Sequence, residues 1–150
     1  MTAREPTVVG DIMTTHVVTL LPEQNLTGVA DALRFFEYRH VPVVDEGKLV
    51  GVVSRMDVVK AAASKFEANG AHRTGQIDEF VFVEEVMTTE LHTVRVDTPL
   101  EKAAQTMRFY KIGCLPVVDD DQRLLGIVTT SDFLTLTEHL LAARARQREA

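Results

Sequence analysis

The sequence predicts an α/β fold of mixed α+β type, made of two copies of one small unit, and three features of its 150 residues lead there. Short apolar runs rich in β-branched residues alternate with helical stripes, turn residues separate the runs, and the whole pattern recurs 74 residues later. The shift lays Met13, Thr14, Thr15, Thr19, Leu26, Ala30 and Phe35 on Met87, Thr88, Thr89, Thr93, Leu100, Ala104 and Phe109. It also lays Pro42-Val43-Val44-Asp45 on Pro116-Val117-Val118-Asp119. One extra residue in the Asp119-Asp120-Asp121 turn moves the shift to 75, which superposes Leu49, Gly51, Val53 and Asp57 on Leu124, Gly126, Val128 and Asp132.

Each copy reads strand, helix, strand, turn, strand, helix. In the first copy the strands are predicted at 17–20, 41–44 and 49–53, with Glu46-Gly47 as the turn between the last two. Leu26, Val29, Ala30, Leu33 and Phe36 recur at helical spacing, as do Leu100, Ala103, Ala104, Met107 and Tyr110, so both helices should present these residues to a core. Thr98-Pro99-Leu100-Glu101 reads as a capping box with proline in the first helical position; Gln24-Asn25-Leu26-Thr27 lacks that box. Further helices are expected from Ser54 and Thr129 onward. A strand, crossover helix and strand make a parallel pair, and the tight turn adds an antiparallel third strand. Each copy should therefore hold a three-stranded mixed sheet with flanking helices.

One copy of about 50–60 residues would have a marginal core, which two copies packed together would remedy. The expected divisions are a first repeat with its N-terminal segment at 1–67, a mobile linker at 68–80, a second repeat at 81–137, and a helical tail at 138–150.

Composition excludes several classes of function. At this length folding buries roughly 68–70% of the surface of the unfolded chain, so a core needs neither disulfides nor structural metal. Cys114, the single cysteine, cannot form a bridge within the chain. No apolar run approaches the length of a membrane span, no signal peptide is seen, and the cytoplasm is the expected location. The net charge is −6, with 8 basic against 9 acidic residues up to position 75 and 8 against 13 beyond it. Neither half offers the cationic footprint of a nucleic-acid binder; Arg144, Arg146 and Arg148 read as the solvated end of a helix.

The residues with chemical potential lie at one recurring junction. Gly51-Val52-Val53-Ser54-Arg55-Met56-Asp57 and Gly126-Ile127-Val128-Thr129-Thr130-Ser131-Asp132 set a glycine, a hydroxyl and a carboxylate at equal spacing where a strand runs into a helix. Two readings stand side by side. Ser or Thr followed three residues later by an acid caps a helix, and a strand glycine marks a bulge. Alternatively the glycine admits a ligand to the backbone, the helix N-terminus attracts an anion, and the carboxylate accepts two hydrogen bonds from a ribose diol.

The duplicated pattern Val-x-x-x-Met-Thr, x-Pro-Val-Val-Asp and Gly-h-h-[Ser/Thr]-x-x-Asp resembles a tandem pair of cystathionine beta-synthase (CBS) domains, a Bateman module, from Val9 to about Leu134. The resemblance implies two repeats packed with pseudo-twofold symmetry and two clefts between them. Such clefts take adenosine-containing ligands such as AMP, ADP, ATP, NAD or S-adenosylmethionine. By the same resemblance Asp57 and Asp132 are the ribose-binding acids, Ser54 and Thr129 the nearby hydroxyls, and Val52 and Ile127 the apolar residues beside the base. The stretches 13–18 and 87–92 match the lining of the adenine pocket, which brings in Thr14, Val18, Thr88 and His92; Tyr38 completes the set.

Arg39-His40 resembles the basic pair that contacts phosphates in the gamma subunits of AMP-activated protein kinase, and the second repeat has Gly113-Cys114 there instead. The cleft holding Asp57, Ser54, Arg39 and His40, closed by Thr88, His92 and Ile112, should thus prefer a phosphorylated ligand. The Asp132 cleft should favour phosphates less. His40 would add charge as the pH falls toward about 6.5. The plain alternative makes Arg39-His40 a solvated helix end.

The five histidines lack the spacing of a zinc site, so no metal is expected. Cys114, just before a buried strand, reads as a packing residue rather than a redox centre. Glu84-Glu85 and the aspartates 119–121 read as surface and turn residues. No phosphate loop and no linked Ser, His and Asp set is present, so no catalytic residue and no catalytic cofactor are expected.

The expected function is therefore a stand-alone regulatory module that senses an adenosyl ligand and signals to a protein partner by a change of shape. The resemblance adds a homodimer. The competing reading is an assembly or interaction subunit with empty clefts, against which both acids and both hydroxyls argue. An enzyme acting on the nucleotide would have His40 as its only plausible base.

Overall fold

The computed structural model describes residues 5–35, 38–68 and 81–149. Its contacts form two compact units, one of Val17–Leu91 and one that joins Met1–His16 to His92–Ala150. The units do not follow the order of the chain. The first sixteen residues belong with the second repeat, and the segment that leads into the second repeat belongs with the first.

In the unit that carries Asp57, α1 (Leu26–Phe35) precedes a hairpin of β1 (His40–Asp45) and β2 (Lys48–Ser54), then α2 (Arg55–Ala68) and the short α3 (Val83–Val86). The two-residue turn Glu46-Gly47 has φ of 46° and 83°, a left-handed pair that glycine makes accessible and that suits the strand twist. In the unit that carries Asp132, a single 3-10 turn at Val9–Asp11 is joined by α4 (Leu100–Tyr110), a hairpin of β3 (Cys114–Val118) and β4 (Leu124–Thr129), and α5 (Thr130–Glu149). Its connection, residues 119–123 between the paired Val118 and Leu124, is one residue longer than the equivalent 45–48 between Val44 and Leu49. The Asp119 carboxylate accepts the N–H groups of Asp121 and Arg123, both at 2.9 Å, which organises the longer loop.

The parallel strands expected ahead of each hairpin shrink to one residue apiece. Leu20 pairs with Val43, donating to the Pro42 carbonyl at 2.9 Å and accepting from Val44 at 2.8 Å; Val94 does the same against Pro116 and Val118 at 3.0 Å each. The cause is local. The chain turns straight after each bridge, Leu21 N–H donating to the Gln24 side chain and Arg95 N–H to the Thr98 hydroxyl. The named sheets are thus two-stranded and antiparallel, and the mixed pairing survives as a bridge.

On the opposite edge each hairpin receives the lead-in of the other repeat. Thr14 and Ile127 exchange two backbone hydrogen bonds of 2.9 Å, and Thr88 and Val52 exchange bonds of 2.9 and 3.0 Å. The lead-in also docks on the helix start: Val9 donates to Thr98 and Leu100 to Thr7, while Val83 donates to Gln24 and Leu26 to Val81. Each lead-in buries one valine completely, Val83 against Leu26, Leu33, Val43 and Val53, and Val9 against Leu100, Met107, Leu115 and Val128. Burying a side chain of that size contributes roughly 1.5–3 kcal/mol.

The helical stripes face the core at Leu26, Val29, Ala30 and Leu33, and at Leu100, Ala103 and Met107. Ala104 is only half-buried, and Tyr110 departs from the expected stripe: it is 50% exposed and stacks on His92 with ring centres 3.7 Å apart. Phe36 and, beyond Ala68, the expected linker lie outside the described residues.

The capping box expected at Thr98 does not form. The Thr98 hydroxyl accepts from Arg95, Pro99 is the N-cap without a side-chain cap bond, and Glu101 accepts from Gln105. In the other copy, where no box was expected, the Asn25 side chain accepts the Thr27 N–H at 2.8 Å. α5 extends through the expected tail and leaves Arg144, Arg146 and Arg148 exposed. No helix among the described residues is long and apolar enough to cross a membrane.

Candidate functional site

Strand β2 ends at Ser54 because that residue caps α2. The Asp57 N–H donates to the Ser54 hydroxyl at 3.2 Å, while Asp57 Oδ2 accepts both the Ser54 N–H and the Ser54 hydroxyl at 2.7 Å. This is a reciprocal capping box. At the end of β4 the arrangement returns with Asp132 Oδ2, which accepts the Thr129 N–H at 2.7 Å and its hydroxyl at 3.0 Å. The helix-capping reading of the motif is therefore realised in both copies. It leaves room for the other reading, because every bond that the two carboxylates accept falls on Oδ2. Oδ1 of each half-buried carboxylate has no hydrogen-bond partner among the described residues.

The strand glycines admit a side chain from the opposite repeat's lead-in. A Cβ built on Gly51 would lie 2.5 Å from the sulfur of Met87, and one on Gly126 would lie 2.6 Å from the Thr14 carbonyl and 3.1 Å from the sulfur of Met13. The bulge expected from a strand glycine is present as well, since the hairpin register slips between Val43 and Val44 and between Val117 and Val118, directly beside these glycines. Sequence reasoning took the Met-Thr pairs as pocket lining. Their tight seat against the glycines of the opposite repeat was missed, because it joins residues far apart in the sequence.

The two corners differ at one position. His40 opens β1 and faces Ser54 across the hairpin; Cys114 opens β3 and faces Thr129. His40 is half-buried, and burial pushes its pKa below the usual 6.5, against the pull of the Asp57 carboxylate and with a smaller push from Arg39. The expected gain of charge near pH 6.5 is thus displaced to lower pH. Arg39 is exposed and its carbonyl accepts the Arg55 N–H at 3.0 Å. Arg39 lies in a bend and His40 in β1. Cys114 is buried, and its thiol is pushed up to about 11 by burial alone.

The structure groups Ser54, Asp57, Val52, Arg39, His40 and Thr88 in one unit, and Thr129, Asp132, Ile127, Thr14 and Cys114 in the other. Val52 and Ile127 are buried, with their backbone groups engaged by Thr88 and Thr14. Val18 and Tyr38, in the Asp57 unit, are 51% and 39% exposed. His92 and Ile112 belong to the Asp132 unit, where His92 stacks on Tyr110 and Ile112 packs against the core.

The profile of the CBS domain matches residues 9–64 and 83–138, each half containing one lead-in, one hairpin and one capped acid. The chain belongs to the CBS domain family. Solved CBS-type structures resemble it along most of its length. A structure from Vibrio cholerae proposed to be an acetoin utilization protein (AcuB) is 36% identical, with 93% of this chain and 96% of that one covered and a TM-score of 0.76. The CBS domain pair of protein MJ0100, in complex with 5'-methylthioadenosine and S-adenosyl-L-methionine, is 33% identical over 87% of this chain and 99% of that one, with a TM-score of 0.73. The cytosolic domain of the Mg2+ channel MgtE, in complex with ATP, is 32% identical over 87% and 48%, with a TM-score of 0.68. Curated relatives are longer: at 36% and 35% identity the CBS pair spans 47% of one and 24% of another.

Proposed function

We propose that this CBS pair is a regulatory module that binds an adenosyl ligand at the Asp57 and Asp132 corners and signals by altering the surface it offers to a protein partner. The observation that carries the reading is the duplicated carboxylate that spends one oxygen on its helix and keeps the other for a ligand. An oxygen held in that way can accept from a ribose hydroxyl without uncapping the helix. That the MJ0100 pair takes 5'-methylthioadenosine and S-adenosyl-L-methionine, and the MgtE domain ATP, supports the adenosyl class.

At the Asp57 corner Arg39 and His40 favour AMP, ADP or ATP, with Thr88 beside Val52 and with Val18 and Tyr38 toward the base. At the Asp132 corner, Thr129, Ile127 and Thr14 repeat the arrangement without a cation in place of His40, which suits S-adenosylmethionine or another ligand with less phosphate. No step of chemistry on the ligand is assigned to any residue; the ligand is a signal. A homodimer is part of the reading. Phe109 and Leu134, 78% and 70% exposed, and the apolar groove of 440 Å³ that Met107, Ile112 and Phe133 line between α4 and α5 supply surface for it.

Thermal unfolding against AMP, ADP, ATP, GTP, NAD and S-adenosylmethionine tests the reading. A ligand at a hundred times its dissociation constant stabilises one site by about 2.7 kcal/mol, on the order of 5–10 °C for a chain of this size. A selective shift that Asp57→Asn or Asp132→Asn removes is the expected result. No shift with any adenosyl compound would sink the reading in favour of an assembly subunit.

A further inference from the structure

We infer that His40 takes up a proton when a phosphorylated adenosyl ligand binds beside Asp57, which makes that corner, and not the one beside Asp132, responsive to pH. The inference rests on the reading of Asp57 as a ligand site and names how that site is regulated.

The geometry comes first. His40 is paired with Ser54 across the hairpin, Ser54 is bonded twice to Asp57 Oδ2, and Arg39 directly precedes His40. Asp57, Arg39 and His40 are thus gathered at one strand end, close enough for the carboxylate and the guanidinium to act on the imidazole, and a phosphate on a ribose held by Asp57 would join that cluster. The groups that act on His40 are the Asp57 carboxylate of α2, which favours its proton, and the Arg39 guanidinium of its own strand, which opposes it; Ser54, its partner on β2, carries no charge. Burial outweighs the carboxylate and keeps the ring neutral at neutral pH.

A polyphosphate changes this balance. Its charges lie against a half-buried ring, and an anion at that distance favours the imidazolium strongly. The proton arrives with the ligand, so His40 becomes a cation only when there is an anion to meet it. Without ligand, the corner avoids two adjacent positive charges. Cys114, in the equivalent place, is a buried neutral thiol and has no such response.

The test is calorimetry of ATP and of adenosine at pH 7.5, in two buffers of different ionisation enthalpy, on the protein carrying Asp132→Asn so that only the Asp57 corner reports. The expected result is a buffer-dependent heat for ATP that corresponds to net proton uptake, little for adenosine, and loss of the uptake in His40→Gln. Affinity for ATP should also rise as the pH falls from 8 to 6.5, by at most about tenfold per unit for one proton. Equal heats in both buffers, or uptake that persists in His40→Gln, would overturn the inference and leave the ligand reading intact. Failure of ATP and adenosine alike to bind would overturn both.

Discussion

The Asp57 and Asp132 units share a hairpin, a bulge beside a glycine, a borrowed lead-in and a capped acid, and they differ where the first hairpin strand begins. One has an exposed Arg39 and a half-buried His40; the other has a half-buried Gly113 and a buried Cys114. The duplicated framework therefore sets the position of the acid, and a two-residue difference sets the charge that can stand beside it. Similar scaffolds with unlike corners thus differ in charge and not in architecture.

The largest way to break the comparison is in the cores. Leu26→Ala and Leu115→Ala each remove a fully buried side chain, and each should cost about 2–5 kcal/mol in denaturant unfolding. Because each unit holds the other repeat's lead-in, either change should lower a single common transition in calorimetry. Two separate transitions would show that the exchange of lead-ins does not couple the units.

The glycines sharpen it. Gly126→Ala drives a methyl against the Thr14 backbone carbonyl, whereas Gly51→Ala meets the side chain of Met87, which can turn away. The first should destabilise by about 1–3 kcal/mol and the second by clearly less. Equal losses would mean that Met87 is held as firmly as backbone.

The caps should be closer in size. Asp57→Ala removes two bonds to Ser54 and Asp132→Ala two bonds to Thr129, each pair worth about 0.5–2 kcal/mol in the unliganded protein. The bond from the Asp57 backbone N–H to Ser54 survives the substitution, so the two losses should be alike. A thermal melt without ligand measures it.

The smallest effects separate the corners by pH. His40 has a lowered pKa in the folded chain, so its contribution is complete above about 6.5, the unfolded value, and is lost as the pH falls from there toward the folded value. Cys114 is the reverse. Its folded value, raised to about 11 from 9.0, favours the folded state below 9.0 and loses that contribution as the pH rises toward 11. His40→Gln should flatten only the acid flank of a stability–pH profile, and Cys114→Ala only the alkaline flank.

The repeat, the hairpins and most of the helical stripes were legible in the sequence because they are local patterns of two to eight residues. The capping acids were legible too, since a hydroxyl followed three residues later by an acid at a strand end is a local pattern. The rest depended on neighbours distant in sequence. Thr98 looked like a cap until its hydroxyl was taken by Arg95, and the parallel strands were cut short by turns at Leu21 and Arg95. Tyr110 kept the helical spacing of a core residue, yet a ring partner at His92 held it at the surface. The seat of Met13 on Gly126 joins residues more than a hundred positions apart, and no local window contains it.

The borrowed lead-ins also fix an order of events during synthesis. The ribosome completes residues 17–91 in one stretch, so the Asp57 unit has all its parts as soon as Leu91 has emerged. Residues 5–16 are made before any of these, yet the helix start, hairpin and core that receive Val9, Thr14 and Met13 come only with residues 94–128. This lead-in is therefore made well before the residues that bury Val9, and it waits for them while the 17–91 unit already has all its parts.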